Sequence, residues 1–426
     1  MCSSDPQRSF AIDVVRRLRS AGFQALWAGG CVRDLLLKRL PKDYDVATDA
    51  TPDDVRDLFG RRKTIAVGAS FGVIVVVGPR EAGQVEVATF RTEGPYLDGR
   101  HPSQVSFASP RDDALRRDFT INGMFYDPIA ETVLDYVGGT QDLERGIVRA
   151  IGEPRDRMEE DRLRMLRAVR FAAILNFTLE EHTGAAIREL AHGLSAVSVE
   201  RISDELHRML AHESRAHAVA MIRELGLLQV ILPELTTLED SNRAAESWRR
   251  TVRIMEALDT AAFEPALAAL LIPLASDHPP GDPDPVEAVC RRLRLSNREV
   301  ERVVWLLGNR HALTNASSLP LSRVKRILSV PDYSWLLQLM RAERAADEAS
   351  TADIDWCDEY VRSTAPEQID PPPLVTGEDL LASGLSPGPV FHKFLDRVRN
   401  AQLDELIHTR EEALAMLRSF DFRPEA

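Results

Sequence analysis

Gly29-Gly30-Cys31-Val32-Arg33-Asp34, followed by Asp43-Tyr44-Asp45, hold the residues of this chain best suited to chemistry. Glycines let a backbone approach a phosphate closely. The N–H groups at the start of the helix that follows favour an anion, and Arg33 adds a charge-assisted contact. Asp43 and Asp45, one residue apart on a strand, share a face. Such a pair can hold divalent metal beside that phosphate, with two ions about 4 Å apart activating an attacking hydroxyl and neutralising a leaving pyrophosphate. A turn before an ordinary helix accounts for the glycines alone, and a solvated strand end paired with Arg39 and Lys42 accounts for the acids alone. Their succession favours a site that moves a nucleotide. Glu86, in Val85-Glu86-Val87, reads either as support for the metals from a neighbouring strand or as a solubilising edge residue.

Two further clusters carry charge in useful places. In Leu115-Arg116-Arg117-Asp118-Phe119-Thr120-Ile121-Asn122-Gly123, Arg117 can clamp a triphosphate while Asp118 and Asn122 fix the local geometry. In Glu160-Asp161-Arg162-Leu163-Arg164, continuing to Arg170, helical spacing puts Met165, Leu166, Val169, Ala172 and Ala173 on one face. Arg164, Arg167 and Arg170 then form a guanidinium ridge on the other, with Asp161 beside Arg164. A carboxylate accepts a hydrogen bond from the exocyclic amine shared by adenine and cytosine, and is repelled by the carbonyl that guanine and uracil present there. Asp161 and Arg164 can therefore admit C and A and exclude G and U, although i,i+3 pairing on a solvated helix is the simpler use of such charges.

These residues need elements to hold them. Residues 1–150 mix helix and strand signals: helix over Pro6–Ala21, strand over Ala25–Ala28, helix over Cys31–Leu40 and strand over Tyr44–Ala47. Thr51 caps a helix that starts at Pro52. Phe71–Val77 and Val85–Phe90 form a hairpin, and Thr132–Tyr136 adds a strand. From about Met158 the periodicity is almost wholly helical, with runs over 159–175, 182–192, 199–211, 214–228, 243–258, 285–294, 298–307, 321–329, 332–347, 353–362, 376–383, 389–401 and 409–419. Pro279-Pro280-Gly281-Asp282-Pro283 and Pro371-Pro372-Pro373 are the candidate linkers. The fold class is α+β: a mixed head followed by an all-helical body.

The 426 residues suffice for two to four domains, and no apolar run reaches the length of a membrane span. Cys2, Cys31, Cys290 and Cys357 are scattered without metal-binding spacing, which fits a reducing cytoplasm. The net charge is −13, nearly all of it beyond residue 150: residues 1–150 carry 20 basic and 21 acidic side chains, residues 151–426 carry 33 and 45. An RNA-binding surface must then be a local basic face. Arg323, Lys325 and Arg326, with Arg291, Arg292 and Arg294, are the best such patches in the helical half.

Three motifs in order, Gly29-Gly30-x-x-Arg33-Asp34 with Asp43-x-Asp45, Arg116-Arg117-Asp118-Phe119-Thr120-Ile121-Asn122, and Glu160-Asp161-x-x-Arg164, resemble those of class II tRNA nucleotidyltransferases. These are the bacterial CCA-adding enzymes with the A-adding enzymes and poly(A) polymerases. The resemblance is strong over about the first 210 residues and weaker in the tail, at Val375–Leu380 and Gly384–Pro389. It implies a pol-β-like catalytic head with a mixed sheet at 1–150, a helical neck for base recognition at 151–213, a body at 214–330 and a tRNA-binding tail at 331–426. On this carry-over Asp43 and Asp45 hold Mg2+. Gly29, Gly30, Arg33 and Arg117 contact the nucleotide's phosphates. Asp161 and Arg164 select the base, with Arg167 and Arg170 nearby. The substrates are CTP, ATP and the acceptor end of tRNA, with pyrophosphate released, in the cytoplasm and without a membrane. Thr92–Pro102, with Asp98 and Arg100, looks like the loop tied to the switch to A addition, and Ala66–Gly72 resembles the CCA- and A-adding branch. An A-adding enzyme with a separate CC-adding partner and a poly(A) polymerase are the alternatives within the class. A nucleotide-binding regulatory module on a helical scaffold is the alternative outside it.

Overall fold

The computed structural model describes residues 5–68, 72–93, 105–236, 242–275, 284–382 and 389–419. They form two compact units, residues 1–237 and 238–426.

In the first unit, helix α1 (Pro6–Ser20) starts where the Asp5 carboxylate accepts the Gln7 N–H, and it buries Ala11, Val14, Val15 and Leu18. Strand β1 (Ala25–Ala28) is buried throughout. Helix α2 (Gly30–Leu36) leads into β2 (Asp45–Thr48). Helix α3 (Pro52–Phe59) begins with Thr51 and Asp54 in a reciprocal capping box, as its sequence predicts. Strands β3 (Thr64–Gly68), β4 (Val73–Val77) and β5 (Gln84–Thr89) follow, then the short pair β6 (Arg91–Glu93) and β7 (Val105–Phe107). After helix α4 (Pro110–Leu115) come β8 (Phe125–Asp127), β9 (Thr132–Leu134), helix α5 (Gly139–Arg145) and strand β10 (Ile147–Val148).

Seven strands make one mixed sheet in the order β3-β4-β5-β2-β1-β8-β9. Every neighbouring pair is antiparallel except β2 with β5, whose parallel register sets Asp45 beside Glu86. Side chains alternate across a sheet. Asp45 therefore shares a face with Ala28, its partner on β1, and with Ala47. Beyond them that face is apolar, with Leu26, Phe90, Ala114 and Phe125 completing a buried cluster. The carboxylate thus stands at the polar end of an otherwise dry surface.

Helices α6 (Pro154–Glu160), α7 (Arg164–Leu175), α8 (Glu181–Leu190), α9 (Val199–Leu210) and α10 (Arg215–Glu224) complete the unit, with strand β11 (Thr178–Leu179) and the short helices α11 (Leu228–Ile231) and α12 (Pro233–Thr236). Where periodicity predicts one helix over 159–175, the chain breaks at Asp161, whose φ of −139° and ψ of 102° are extended. The apolar period runs through the break and hides it. Two other expectations shift in the head. The helix expected over Cys31–Leu40 stops at Leu36, with Lys38 left-handed at φ 57°. Asp43 lies before β2 rather than on it, so only Asp45 is a strand residue.

The described part of the second unit is helical: α13 (Asn242–Ala257), α14 (Phe263–Leu271), α15 (Pro285–Arg292), α16 (Asn297–Asn309), α17 (Leu321–Leu328), α18 (Tyr333–Ala346), α19 (Ala352–Ser363), α20 (Pro366–Ile369), α21 (Gly377–Ala382), α22 (Pro389–Leu403) and α23 (Arg410–Arg418). No described helix is long and apolar enough to cross a membrane. Most follow the predicted runs within one or two residues; α14 is missed because it is apolar all round, which erases periodicity. Lys325 is 2% exposed and its ammonium sits 2.8 Å from Glu405, so it belongs to the packing of α17 and not to a basic patch. Arg326 and Arg291 are likewise neutralised, by Asp396 and Glu287. The Pro371–Pro373 segment does not separate units: its carbonyls accept bonds from Arg399 and Gln402 of α22. The Pro279–Pro283 linker and Gly384–Gly388 of the tail motif lie outside the described residues, as do Asp98 and Arg100 of the loop.

Candidate active site

A cleft of about 510 Å³ opens in the first unit, lined by residues from five stretches of sequence. Gly29, Gly30 and Arg33 come from the β1–α2 junction and Asp45 from the head of β2. Arg116, Arg117, Asp118 and Asn122 follow α4, and Asp161, Leu163, Arg164, Arg167 and Phe171 come from the α6–α7 break and α7. Arg201 reaches in from α9.

The β1–α2 turn requires glycine. Gly29 adopts φ 72° and ψ −130°, and a Cβ there would meet the Arg117 Nη1 at 3.2 Å and the Asp45 Oδ2 at 4.0 Å. Backbone, guanidinium and carboxylate converge because no side chain intervenes. Cys31, just inside α2, is buried, and burial pushes its thiol up to about 12, so it is no nucleophile here.

Each arginine of the cleft is held by an acceptor of the protein. Asp113, on α4 and 1% exposed, receives Arg116 at 2.6 Å on one oxygen and Arg117 at 2.9 Å on the other. Arg33 donates to Asp34 and to the Asn122 side chain, which itself donates to Asp118. Arg167 grips the other Asp118 oxygen at 2.6 Å. Burial alone would raise the Asp118 carboxyl, but the Arg167 charge, with bonds from Arg167, Asn122 and the Phe119 N–H, brings it down to about 2. The guanidinium groups of Arg33, Arg167 and Arg170 gather over the Phe171 ring, 4.2 to 5.5 Å from its centroid.

Asp161 and Arg164 are arranged otherwise than their spacing suggests. The Arg164 side chain is nearly buried, and its guanidinium bonds Glu160 at 2.7 Å and the Arg157 and Arg116 carbonyls. Asp161 accepts the Leu163 N–H at 3.1 Å on Oδ1 and Arg201 at 2.8 Å on Oδ2. Arg164 thus pairs with Glu160 and Asp161 with Arg201, and the expected solvated ridge is a set of anchored side chains. Arg170 does not line the cleft; it pairs with the buried Glu205 of α9. Asp43 also lies outside the lining and is exposed.

Sequence reading missed Asp113, Leu163, Phe171 and Arg201. Asp113 carries a signal, since it stands three and four residues before Arg116 and Arg117 on a helical stretch. Arg201 carries none, because only tertiary packing brings α9 to Asp161.

The Asp45 carboxyl is raised to about 7, first by burial, then by the charges of Asp43 and Glu86, against the opposing pull of Arg117. Like charges crowded at a dry surface fit a divalent cation, which would relieve them. Among the described residues no three metal-ligating side chains converge enough to cage an ion. An ion at Asp43 and Asp45 would complete its shell from phosphate oxygens and water, the usual habit of Mg2+.

A mixed sheet with paired aspartates at one strand head, opening on an arginine-lined cleft, defines a nucleotidyltransferase. Residues 25–149 match the poly A polymerase head domain, and residues 176–238 match the probable RNA and SrmB-binding site of polymerase A. The chain is 34% identical to the CCA-adding enzyme of Bacillus subtilis over 376 residues, 87% of each chain. It is 41% identical to poly(A) polymerase I of Salmonella typhi over 262 residues, 58% of this chain and 55% of that one. With several other CCA-adding enzymes the match spans 49% to 66% of the relative's length. The crystal structure of Bacillus stearothermophilus CCA-adding enzyme in complex with CTP superposes with a TM-score of 0.78 at 27% identity, covering 97% of both chains. The chain belongs to the family of CCA-adding enzymes and bacterial poly(A) polymerases.

Proposed function

We propose that this chain is a template-independent tRNA nucleotidyltransferase that completes tRNA 3′ ends with CCA from CTP and ATP, releasing pyrophosphate. The observation that carries the reading is the convergence in one cleft of Gly29, Gly30, Arg33, Asp45, Arg117, Asp161 and Arg164, drawn from segments more than a hundred residues apart. Resemblance to a CTP-bound CCA-adding enzyme over nearly the whole chain supports it.

In this reading the triphosphate lies against the Gly29-Gly30 turn, where Arg33 and Arg117 are pre-set by Asn122 and Asp113. Asp161 and Arg164 face the base edge: the carboxylate accepts from the exocyclic amine of C or A, and the guanidinium donates to an adjacent acceptor. Because Asp161 and Arg164 are each held by a charged neighbour, they present a fixed pattern, and the protein serves as the template. Asp43 and Asp45 hold Mg2+, which when bound supplies Lewis-acid activation of the attacking hydroxyl and charge neutralisation of the leaving pyrophosphate. Residues 1–150 are then the catalytic head, 151–213 the base-reading neck, and 214–330 and 331–426 the body and tail that meet the tRNA. Its substrates place the enzyme in the cytoplasm.

Three tRNA transcripts, ending at the discriminator base, at C and at CC, are to be incubated with Mg2+ and CTP, ATP or both. Extension of all three to CCA and no further is expected. The identity to a poly(A) polymerase over 262 residues favours the second reading, A addition, which the same gels would reveal as a single A on the CC-ended transcript or as a long A ladder.

A further inference from the structure

We propose that the exposed basic loop Lys38–Lys42 docks the 3′-terminal strand of the RNA, holding its backbone phosphates beside Asp43. The inference rests on the nucleotidyltransferase reading and extends it to the second substrate.

Two substrates must meet at the paired aspartates. Asp45 lines the arginine cleft, which has the size and charge for a nucleotide, whereas Asp43 is exposed and outside its lining. The strand that attacks therefore has to approach from the Asp43 side, and on that side the chain runs directly into Lys42, Arg39 and Lys38. The loop has a set shape. Lys38 is left-handed, its N–H bonds the Leu35 carbonyl at 3.0 Å, the Arg39 N–H bonds the Asp34 carbonyl at 2.8 Å, and Pro41 is buried. Its side chains are nevertheless outward: Lys38, Arg39 and Lys42 are exposed, and Leu40 is 78% exposed.

The contrast with the cleft is in the pairing. Each cleft arginine has an acidic partner, but among the described residues no ion pair joins Lys38, Arg39 or Lys42 to a carboxylate. In a chain of net charge −13, a cluster of three unpaired cations next to a candidate catalytic acid leaves donors free for phosphodiester oxygens. The field reaches the α9–α10 turn. The His212 imidazole lies below its ordinary value, first through burial, with the charges of Arg215, Lys42 and Arg39 lowering it against the opposing pull of Glu213. Leu40 adds an exposed apolar contact for a sugar or base.

The test compares Arg39→Gln/Lys42→Gln with the parent chain and with Arg16→Gln, an exposed arginine on α1. The probe is a tRNA transcript ending at its discriminator base, extended with CTP at several salt concentrations, with CTP binding measured separately without RNA. Loss of two phosphate contacts should raise the KM for RNA on the order of tenfold near 0.15 M salt and flatten its log–log salt dependence by about 1.4, while CTP affinity stays at the parent value. An unchanged KM and slope, or an equal rise in Arg16→Gln, would overturn the assignment. Failure of the parent to extend any RNA would refute the nucleotidyltransferase reading itself, and this inference with it.

Discussion

Arg201→Ala should separate base choice from phosphate binding, because Arg201 touches the Asp161 carboxylate and none of Gly29, Gly30, Arg33 or Arg117. Its guanidinium lies 2.8 Å from the Asp161 Oδ2, with the two side chains 23% and 18% exposed. An exposed pair contributes about 0–1 kcal/mol and breaking a fully buried one costs about 3–5 kcal/mol. A partly buried pair falls between, near 1.5 kcal/mol after screening. Without Arg201, the Leu163 N–H is the remaining bond to Asp161, on the other oxygen. The carboxylate is then free to rotate away from the plane in which it accepts from an amine. About 1.4 kcal/mol lost from the favoured base alone is tenfold in its kcat/KM. The assay is kcat/KM for CTP and UTP on a transcript ending at the discriminator base, and for ATP and GTP on one ending in CC. The C/U and A/G ratios should each fall about tenfold, with Arg201→Lys intermediate because one donor is kept. Ratios that stay at the parent value, or an equal fall for all four nucleotides, would refute the reasoning, since the first leaves Arg201 without influence on the base and the second makes its role structural.

Asp45→Asn and Asp43→Asn should each lower extension at least about a thousandfold, since metal stabilisation of the transition state is worth several kcal/mol, while thermal melting without metal shows Asp45→Asn no less stable than the parent, because a crowded charge is gone. Gly29→Ala places a Cβ 3.2 Å from the Arg117 Nη1 at φ 72° and should raise the KM for CTP on the order of tenfold, read by steady-state kinetics. Asp118 is held at about 2 against an ordinary carboxylate value near 4, so its contribution is fully present above about pH 4 and is lost as pH falls through about 2. Its size is about 2 kcal/mol; Asp118→Asn should therefore be less stable than the parent at pH 7 in urea titrations, with the gap closing toward pH 2, and a gap constant across that range would contradict the account.

What the sequence makes legible is whatever is decided locally. The Thr51-Pro52 start, the β4–β5 hairpin and the helices of the second unit follow from caps, turns and periodicity, and the structure has them in place. The three charged motifs are legible too, because each is compact and together they fall in one cleft. What is lost is set by contacts between distant segments. Strand β8 has three residues and gains its place from β1 and β9, so it shows no pattern of its own. The break at Asp161 is invisible to a helical period that fits on both sides, and carrying the helix through it gives Arg164 the wrong partner. Lys325 illustrates the converse: a lysine beside an arginine reads as surface, until Glu405 on a segment 80 residues away neutralises it.

The charge balance of the cleft follows from the same pairing. Six arginines line it, yet the chain is acidic, because each arginine was brought there with an acceptor: Asp34 or Asn122, Asp113 for two of them, Glu160, Asp118 and Asp161. Such pairing removes little binding capacity. A guanidinium has five N–H donors, and a carboxylate occupies one edge. Arg117 shows the consequence: Nε and Nη2 are committed to Asp113, while Nη1 donates one proton to the Asn122 carbonyl at 3.4 Å and keeps the other toward the Gly29 turn. The acid fixes where the free edge points, and the glycine keeps the space in front of it open for a phosphate oxygen. Pre-set donors cost little reorganisation when charge arrives, so a cleft of paired arginines discriminates by geometry where a cleft of mobile ones would attract any anion. On that argument Asp113→Asn should weaken nucleotide binding although it makes the site more positive, and tighter binding of CTP by that variant would show that net charge, not orientation, governs the cleft.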